Sequence, residues 1–110
     1  MFDMIIRNGH VVDPSNDVNE IKDIYILDGK IADPSQYTDI GFKKEIDATG
    51  LYVFPGLIEN HAHVYDGGAD MGINADTILI PSGVTSCIDY GTAGYVNFPL
   101  FYKDVIVPSK

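Results

Sequence analysis

The chain has 110 residues, 45% of them apolar and 21% charged, with a formal net charge of −9. That length suits one modest domain or two small pieces of a larger one. The acidic balance excludes a nucleic-acid backbone and an anionic membrane surface as partners, because both call for a basic patch.

In chain order, residues 1 to 50 read as short strands separated by turn residues. "DMIIRNG" is a strand expected to stop at Asn8-Gly9, a pair suited to a tight hairpin because such turns need positive φ. "HVVDPSN" is a second strand, stopped by Asp13-Pro14. "DIYILDGKIADPS" repeats the scheme with a turn at Asp28-Gly29 and a stop at Asp33-Pro34. "KKEIDATG" is a further strand, closed by Thr49-Gly50. This half is predicted to be a small all-β unit. His10 sits beside its first turn, with no second ligand type near it, and reads as an exposed hairpin histidine.

The character changes at Leu51, where "LYVFPGLIENHAHV" is more apolar and turns at Pro55-Gly56. The domain division is expected at 52/53, giving a β unit over 1–52 and a second unit over 53–110. "LIENHAHV" reads as a strand and "YDGGADMG" as a Gly-rich loop. "INADTILI" reads as a short helix of two or three turns, with Asn74 as N-cap and Asp76 in the first turn. Pro81, Ser82 and Gly83 end it. "VTSCIDY" is a β-branched strand and "GTAGYVNFP" a loop, while "LFYKDVIVPSK" fits helix or extended chain equally. From Leu57 onward the order is strand, loop, helix, strand, loop, the βαβ arrangement of a parallel sheet.

The only cysteine, Cys87, has no partner for an internal disulfide, which fits a reducing compartment. Its strand-like flanks favour a buried, inert thiol. The start "MFDMIIRNGH" lacks the basic n-region and apolar h-region of a signal peptide. No run approaches the roughly 18 apolar residues of a membrane span. The compartment expected on these grounds is the cytoplasm.

Two of the three histidines stand one residue apart in "GLIENHAHVY". Side chains two apart on a strand share a face, so Glu59, His61, His63 and Tyr65 are expected on one side and Asn60, Ala62 and Val64 on the other. Two imidazoles stacked on one face can reach a common cation at the usual zinc–nitrogen distance of about 2.0–2.1 Å. A bare pair of this spacing serves equally as polar groups at a strand end. Context favours the ligand reading: an apolar strand before the pair and a Gly-rich loop after it put both rings at the C-terminal edge of a parallel strand, where α/β barrels build their sites.

The motif and its flanks carry a resemblance. "NGHVVDPSN", "DIYILDGKIA" and "IDATGLYVFPGLIENHAHVY" resemble the opening of the amidohydrolase superfamily, and "SGVTSCIDYGTAG" resembles the next barrel unit. The group most similar is the dihydroorotase-like amidohydrolases and deacetylases. Their HxHVY, GVT and DxGxAG features match His61 to Tyr65, Gly83 to Thr85 and Asp89 to Gly94. The resemblance spans essentially the whole chain. It implies a fold of α/β class: the first one or two βα units of a (β/α)8 TIM barrel, preceded by a small all-β, sandwich-like domain. It implies that His61 and His63 are first-strand metal ligands, with zinc as the metal and one or two divalent ions in the complete enzyme. The implied reaction is hydrolysis of an amide or ester bond of a small molecule through a metal-activated water. Where the family usually has Asp two positions before the first histidine, this chain has Glu59. Dihydroorotases typically place Arg two residues after the second histidine; Tyr65 stands there, which argues against dihydroorotase activity itself.

The remaining family ligands are a carboxylated lysine, two further histidines and an aspartate on later strands, and none is present here. A barrel of this class needs roughly 200 residues or more. The expectation is therefore an N-terminal fragment, inactive alone. The alternative is a non-catalytic remnant that binds a partner or forms a homo-oligomer through unpaired strand edges. Tyr65 and Asp89 are candidate substrate contacts; rim filling suits Tyr65 as well, and capping of a loop by backbone bonds suits Asp89 better. Gly67 and Gly68 make a lid or a turn. Asp66, Asp70 and Asp76 lack EF-hand spacing and read as a solvated acidic loop.

Overall fold

The computed structural model describes residues Met1–Lys110, which divide into two compact units, Met1–Pro55 and Gly56–Lys110. The molecule is mixed α/β and mostly strand.

In the first unit, β1 (Phe2–Asp13) is the hub. It pairs antiparallel with β2 (Val18–Leu27), which pairs antiparallel with β3 (Lys30–Ala32). On its other edge β1 pairs parallel with β4 (Phe42–Asp47) and, further along, with β5 (Tyr52–Val53). Within this unit the strands form one mixed sheet rather than the two layers of a sandwich. Phe2, Ile5, Val11 and Ala48 are buried, and Phe2 packs its ring against Tyr25 and Tyr37.

The turn chemistry acts as read, with one correction. Asp28 and Gly29 take φ of 52° and 72°, the hairpin turn between β2 and β3. Asp13 and Asp33 each accept a hydrogen bond from the amide two residues on and start a short 3-10 turn at the following proline. Asn8 does take positive φ, 58°, yet no hairpin forms there. Instead β1 runs straight through with a bulge, since Ile6 faces Ile24 while Gly9 faces Lys22. Asp23 opposes the extra residue. Its carboxylate accepts from the Asn8 amide at 3.0 Å and from the Arg7 guanidinium at 3.0 Å. Parallel pairing on both sides of the bulge holds the strand in line.

In the second unit, β6 (Leu57–Ala62) pairs parallel with β7 (Val84–Asp89). Between them come a loop, one α-turn, α1 (Ala75–Ile78), and a 3-10 turn (Ile80–Ser82). The Asn74 side chain caps α1 by accepting from the Thr77 amide at 3.0 Å, and Asp76 lies in the first turn. The helix is shorter than expected because Pro81 offers no amide to extend it. Gly83 then turns the chain at φ 82°. The segment that sequence pattern left undecided is helical: α2 (Phe98–Phe101) runs into a π-turn over Tyr102–Ile106. Ala62, Val64, Tyr65 and Phe101 form the core, with Leu79, Cys87 and Val105 packed against it.

Candidate functional site at the ends of the parallel strands

β6 ends at Ala62, two residues sooner than its apolar run predicts. Two features stop it. Between Glu59 and Ala62 the strand carries one residue more than β7 does between Cys87 and Asp89. Beyond Ala62, the Val64 amide leaves the ladder and donates to the Asp89 carboxylate at 2.9 Å. His61 therefore sits in an irregular stretch and His63 just past the last strand residue. Bulges of this kind re-aim side chains at strand ends.

The two imidazoles come together there. Their ring centroids are 5.5 Å apart and meet edge to face. His61 is exposed and His63 half-buried. Nδ1 of His63 is buried and has no hydrogen-bond partner. A buried polar atom without a partner costs on the order of 1–3 kcal/mol, so such a vacancy calls for a missing ligand or partner. Glu59 does not supply it, since its carboxylate turns back to accept the His61 amide at 2.9 Å. Neutral imidazoles suit a divalent transition metal, and the unpartnered nitrogen fits that use. The pair is incomplete as a cage: no group of three or more His, Cys, Asp or Glu side chains converges in the chain.

Asp89 ends β7 and ties three pieces of chain together. Besides the Val64 amide, its carboxylate accepts from the Thr92 amide at 2.8 Å, the Ala93 amide at 3.1 Å and the Thr92 hydroxyl. Burial pushes the Asp89 carboxyl up, but the hydrogen bonds from Thr92, Val64 and Ala93 outweigh it and hold its pKa below the usual carboxylate value. The side chain is occupied in bracing the loop after β7 against the segment after His63.

Tyr65 is buried at 6% exposure, its ring edge-on to Phe101 at 5.3 Å. With β6 ended at Ala62, alternation no longer governs it and its side chain joins the core. The Gly-rich loop closes over it: any Cβ at Gly68 would run into the Tyr65 ring, and one at Gly72 into the Tyr65 carbonyl. Cys87 is half-buried, and burial together with the charges of Asp89, Glu59 and Asp76 pushes its thiol up, away from the reactive thiolate. His10 is partnered, Nε2 lying 2.7 Å from the Asn19 side-chain Oδ1. The residue that sequence pattern did not single out is Tyr90. Its amide donates to the Ala62 carbonyl at 2.7 Å, and its ring lies on His61 with centroids 4.3 Å apart. Only the register of β7 on β6 places it there, and that register is invisible in composition.

No family model matches the sequence. A deacetylase of Agrobacterium fabrum is 37% identical over 67 residues, 61% of this chain and 16% of its own length. A dihydroorotase of Solibacter usitatus is 36% identical over 75 residues, 68% of this chain and 17% of its own length. A dihydroorotase crystal structure superposes with a TM-score of 0.71 at 31% identity, covering 96% of this chain and 28% of that one. The chain thus spans about a sixth of the length of these curated relatives.

Proposed function

By sequence and by fold this chain matches the N-terminal part of proteins of the amidohydrolase superfamily, and on that footing we propose that it supplies the first-strand ligands of a metal-dependent amide or ester hydrolase acting on a small molecule. In this reading residues 1–52 begin the small β domain and residues 53–110 begin the barrel. His61 and His63 hold a divalent ion, for which zinc is taken as the first candidate among the metals that imidazole suits. A metal ion bound there would supply Lewis-acid polarisation of a carbonyl and an acidified water.

The chain's own residues do the positioning. The Asp89 carboxylate fixes the backbone just past His63, and the Tyr90 amide fixes the carbonyl between the two histidines. Asp89 serves the substrate pocket by shaping the 90–94 loop, and Tyr65 by supporting its floor. Catalytic zinc sites use three or more protein ligands, so His61 and His63 would make up part of such a site. The observation that carries the reading is the pairing of the two rings at the parallel strand ends, with the buried His63 Nδ1 left unpartnered.

Calorimetric titration of the chain with Zn²⁺ tests it. Binding is expected in the wild type and should weaken at least about tenfold in the His61→Ala, His63→Ala double variant, as loss of both ligands requires. Equal isotherms would defeat the ligand assignment.

A second reading, self-association without catalysis, draws on exposed apolar side chains in the second unit. Ile58 is 70% exposed, Ile88 53% and Tyr95 98%. Sedimentation equilibrium separates the two. A monomer at all concentrations removes the second reading, whereas a dimer that forms equally in the double-histidine variant supports it.

A further inference from the structure

We infer that Tyr90 is a positioning residue for His61: its ring holds the exposed imidazole in the orientation that lets it share a cation with His63. The inference rests on the metal-ligand reading above and adds a residue that neither sequence pattern nor motif spacing marks.

Three observations converge on it. The Tyr90 and His61 ring centroids lie 4.3 Å apart with the planes tilted by 31°, a close ring-on-ring contact. The Tyr90 backbone is pinned, because its amide donates to the Ala62 carbonyl at 2.7 Å, between the two histidines. The residue before it, Asp89, is clamped to the Val64 amide at 2.9 Å on the far side of His63. Tyr90 is therefore carried on a backbone locked to both flanks of His63, while its ring, 61% exposed, contributes nothing to the core cluster. A tyrosine so exposed has no packing reason to be there.

The physical consequence concerns entropy. His61 is exposed, and its side chain has no hydrogen bond. Free in solvent, the ring would sample several rotamers, and binding an ion would have to select one. An aromatic ring packed on it removes most of that freedom beforehand. His63 needs no such help, since it is half-buried and already edge-on to His61. The two ligands are thus prepared by different means, one by burial and the other by ring contact.

The test uses Zn²⁺ alone as the probe and compares the wild type with Tyr90→Ala, Tyr90→Phe and the double-histidine variant. Tyr90→Ala keeps the backbone amide and removes only the ring. It is expected to weaken Zn²⁺ binding about fivefold, the scale of one aromatic pair, and Tyr90→Phe is expected to restore it to within about twofold. The metal-free protein gives an independent readout. Proton NMR should show the His61 ring signals displaced by the Tyr90 ring current in the wild type and in Tyr90→Phe, and undisplaced in Tyr90→Ala. The Tyr65 and Phe101 signals should stay put and report an intact core. Binding in Tyr90→Ala as tight as in the wild type, with binding abolished in the double-histidine variant, would overturn the positioning role and leave the ligands standing. Equal weakening in Tyr90→Ala and Tyr90→Phe would overturn it too. Undiminished binding in the double-histidine variant would instead remove the ligand reading and this inference together.

Discussion

The two units differ in which polar groups folding satisfies, and the aspartates are not where they differ. In Met1–Pro55, Asp13, Asp33, Asp39 and Asp47 each accept from an amide two residues further on, and Asp3 and Asp23 accept from the distant Asp28 and Asn8 amides. In Gly56–Lys110, Asp89 likewise reaches back 25 residues to the Val64 amide. It is the histidines that divide. His10 has Asn19 and lies 4.9 Å from the Tyr52 ring, whereas His63 keeps a buried nitrogen that nothing satisfies. A polar group that is locally satisfied is explained by folding. One that remains unsatisfied after folding points to something the fold is for.

That comparison is sharpened most strongly at a glycine. Gly72 has ordinary φ, but a Cβ there would collide with the backbone carbonyl of Tyr65, which cannot give way as a flexible side chain can. Gly72→Ala is expected to destabilise the second unit by about 3 kcal/mol, the upper range of overpacking costs. Hydrogen exchange should show protection lost in β6, β7 and the loop between them, with β1 and β2 unaffected. Equal loss in both units would deny that the two are separable bodies.

Asp89→Asn comes next. Charge-assisted bonds from three amides and a hydroxyl give way to weaker ones, at a cost of about 2 kcal/mol near neutral pH. The pH dependence follows from the lowered pKa. A carboxylate whose folded pKa lies below its unfolded value stabilises fully above the unfolded value, about 3.9 for Asp. The benefit fades as pH falls through the folded pKa. The gap between wild type and Asp89→Asn in urea midpoints should therefore be full at pH 6 and shrink steadily below about pH 4. A gap that persists unchanged at pH 2 would mean that charge is not what Asp89 contributes.

The amidohydrolase resemblance stands, and how legible the rest was follows from the range of each interaction. Turns at Asp28-Gly29, Asp13-Pro14 and Asp33-Pro34 were readable because their chemistry lies within four residues. The capped start at Asn74 and the parallel partner strand at Val84 were readable for the same reason, from local caps and β-branched runs. Asn8-Gly9 misled because its positive φ is common to a hairpin and a bulge, and Asp23, fifteen residues away, decides between them. At the site, the closeness of the His61 and His63 rings agrees with their spacing, although an irregular strand end rather than plain alternation brings them together. The early end of β6 was not, because a bulge and the distant Asp89 carboxylate set it. Tyr65 lost its place on that face for the same reason. Tyr90 could be seen only once the register of β7 on β6 was known.

A smaller effect is expected at Gly29, the converse of Gly72. A Cβ there meets nothing within 4 Å, but φ of 72° strains any L side chain. Gly29→Ala should cost about 1 kcal/mol, all of it in the first unit, and Gly29→Asn less, since Asn tolerates this region.

The smallest effect belongs to the ion pair of the first unit, and it separates geometry from energy. The Lys43 ammonium lies 2.6 Å from the Asp3 carboxylate, closer than many buried pairs, and the contact lowers the Asp3 pKa and raises that of Lys43. Both side chains are exposed, Lys43 at 60% and Asp3 at 36%. Water screens the attraction, and holding a long lysine in one rotamer offsets much of what remains. Asp3 also accepts from the Asp28 amide at the hairpin turn, a bond that survives removal of the lysine. Lys43→Ala should therefore leave the unfolding midpoint unchanged within the error of denaturation curves, at low salt and at 1 M salt alike. A clear loss at low salt that disappears in 1 M salt would show that the first unit is held by its charges as well as by its ladder.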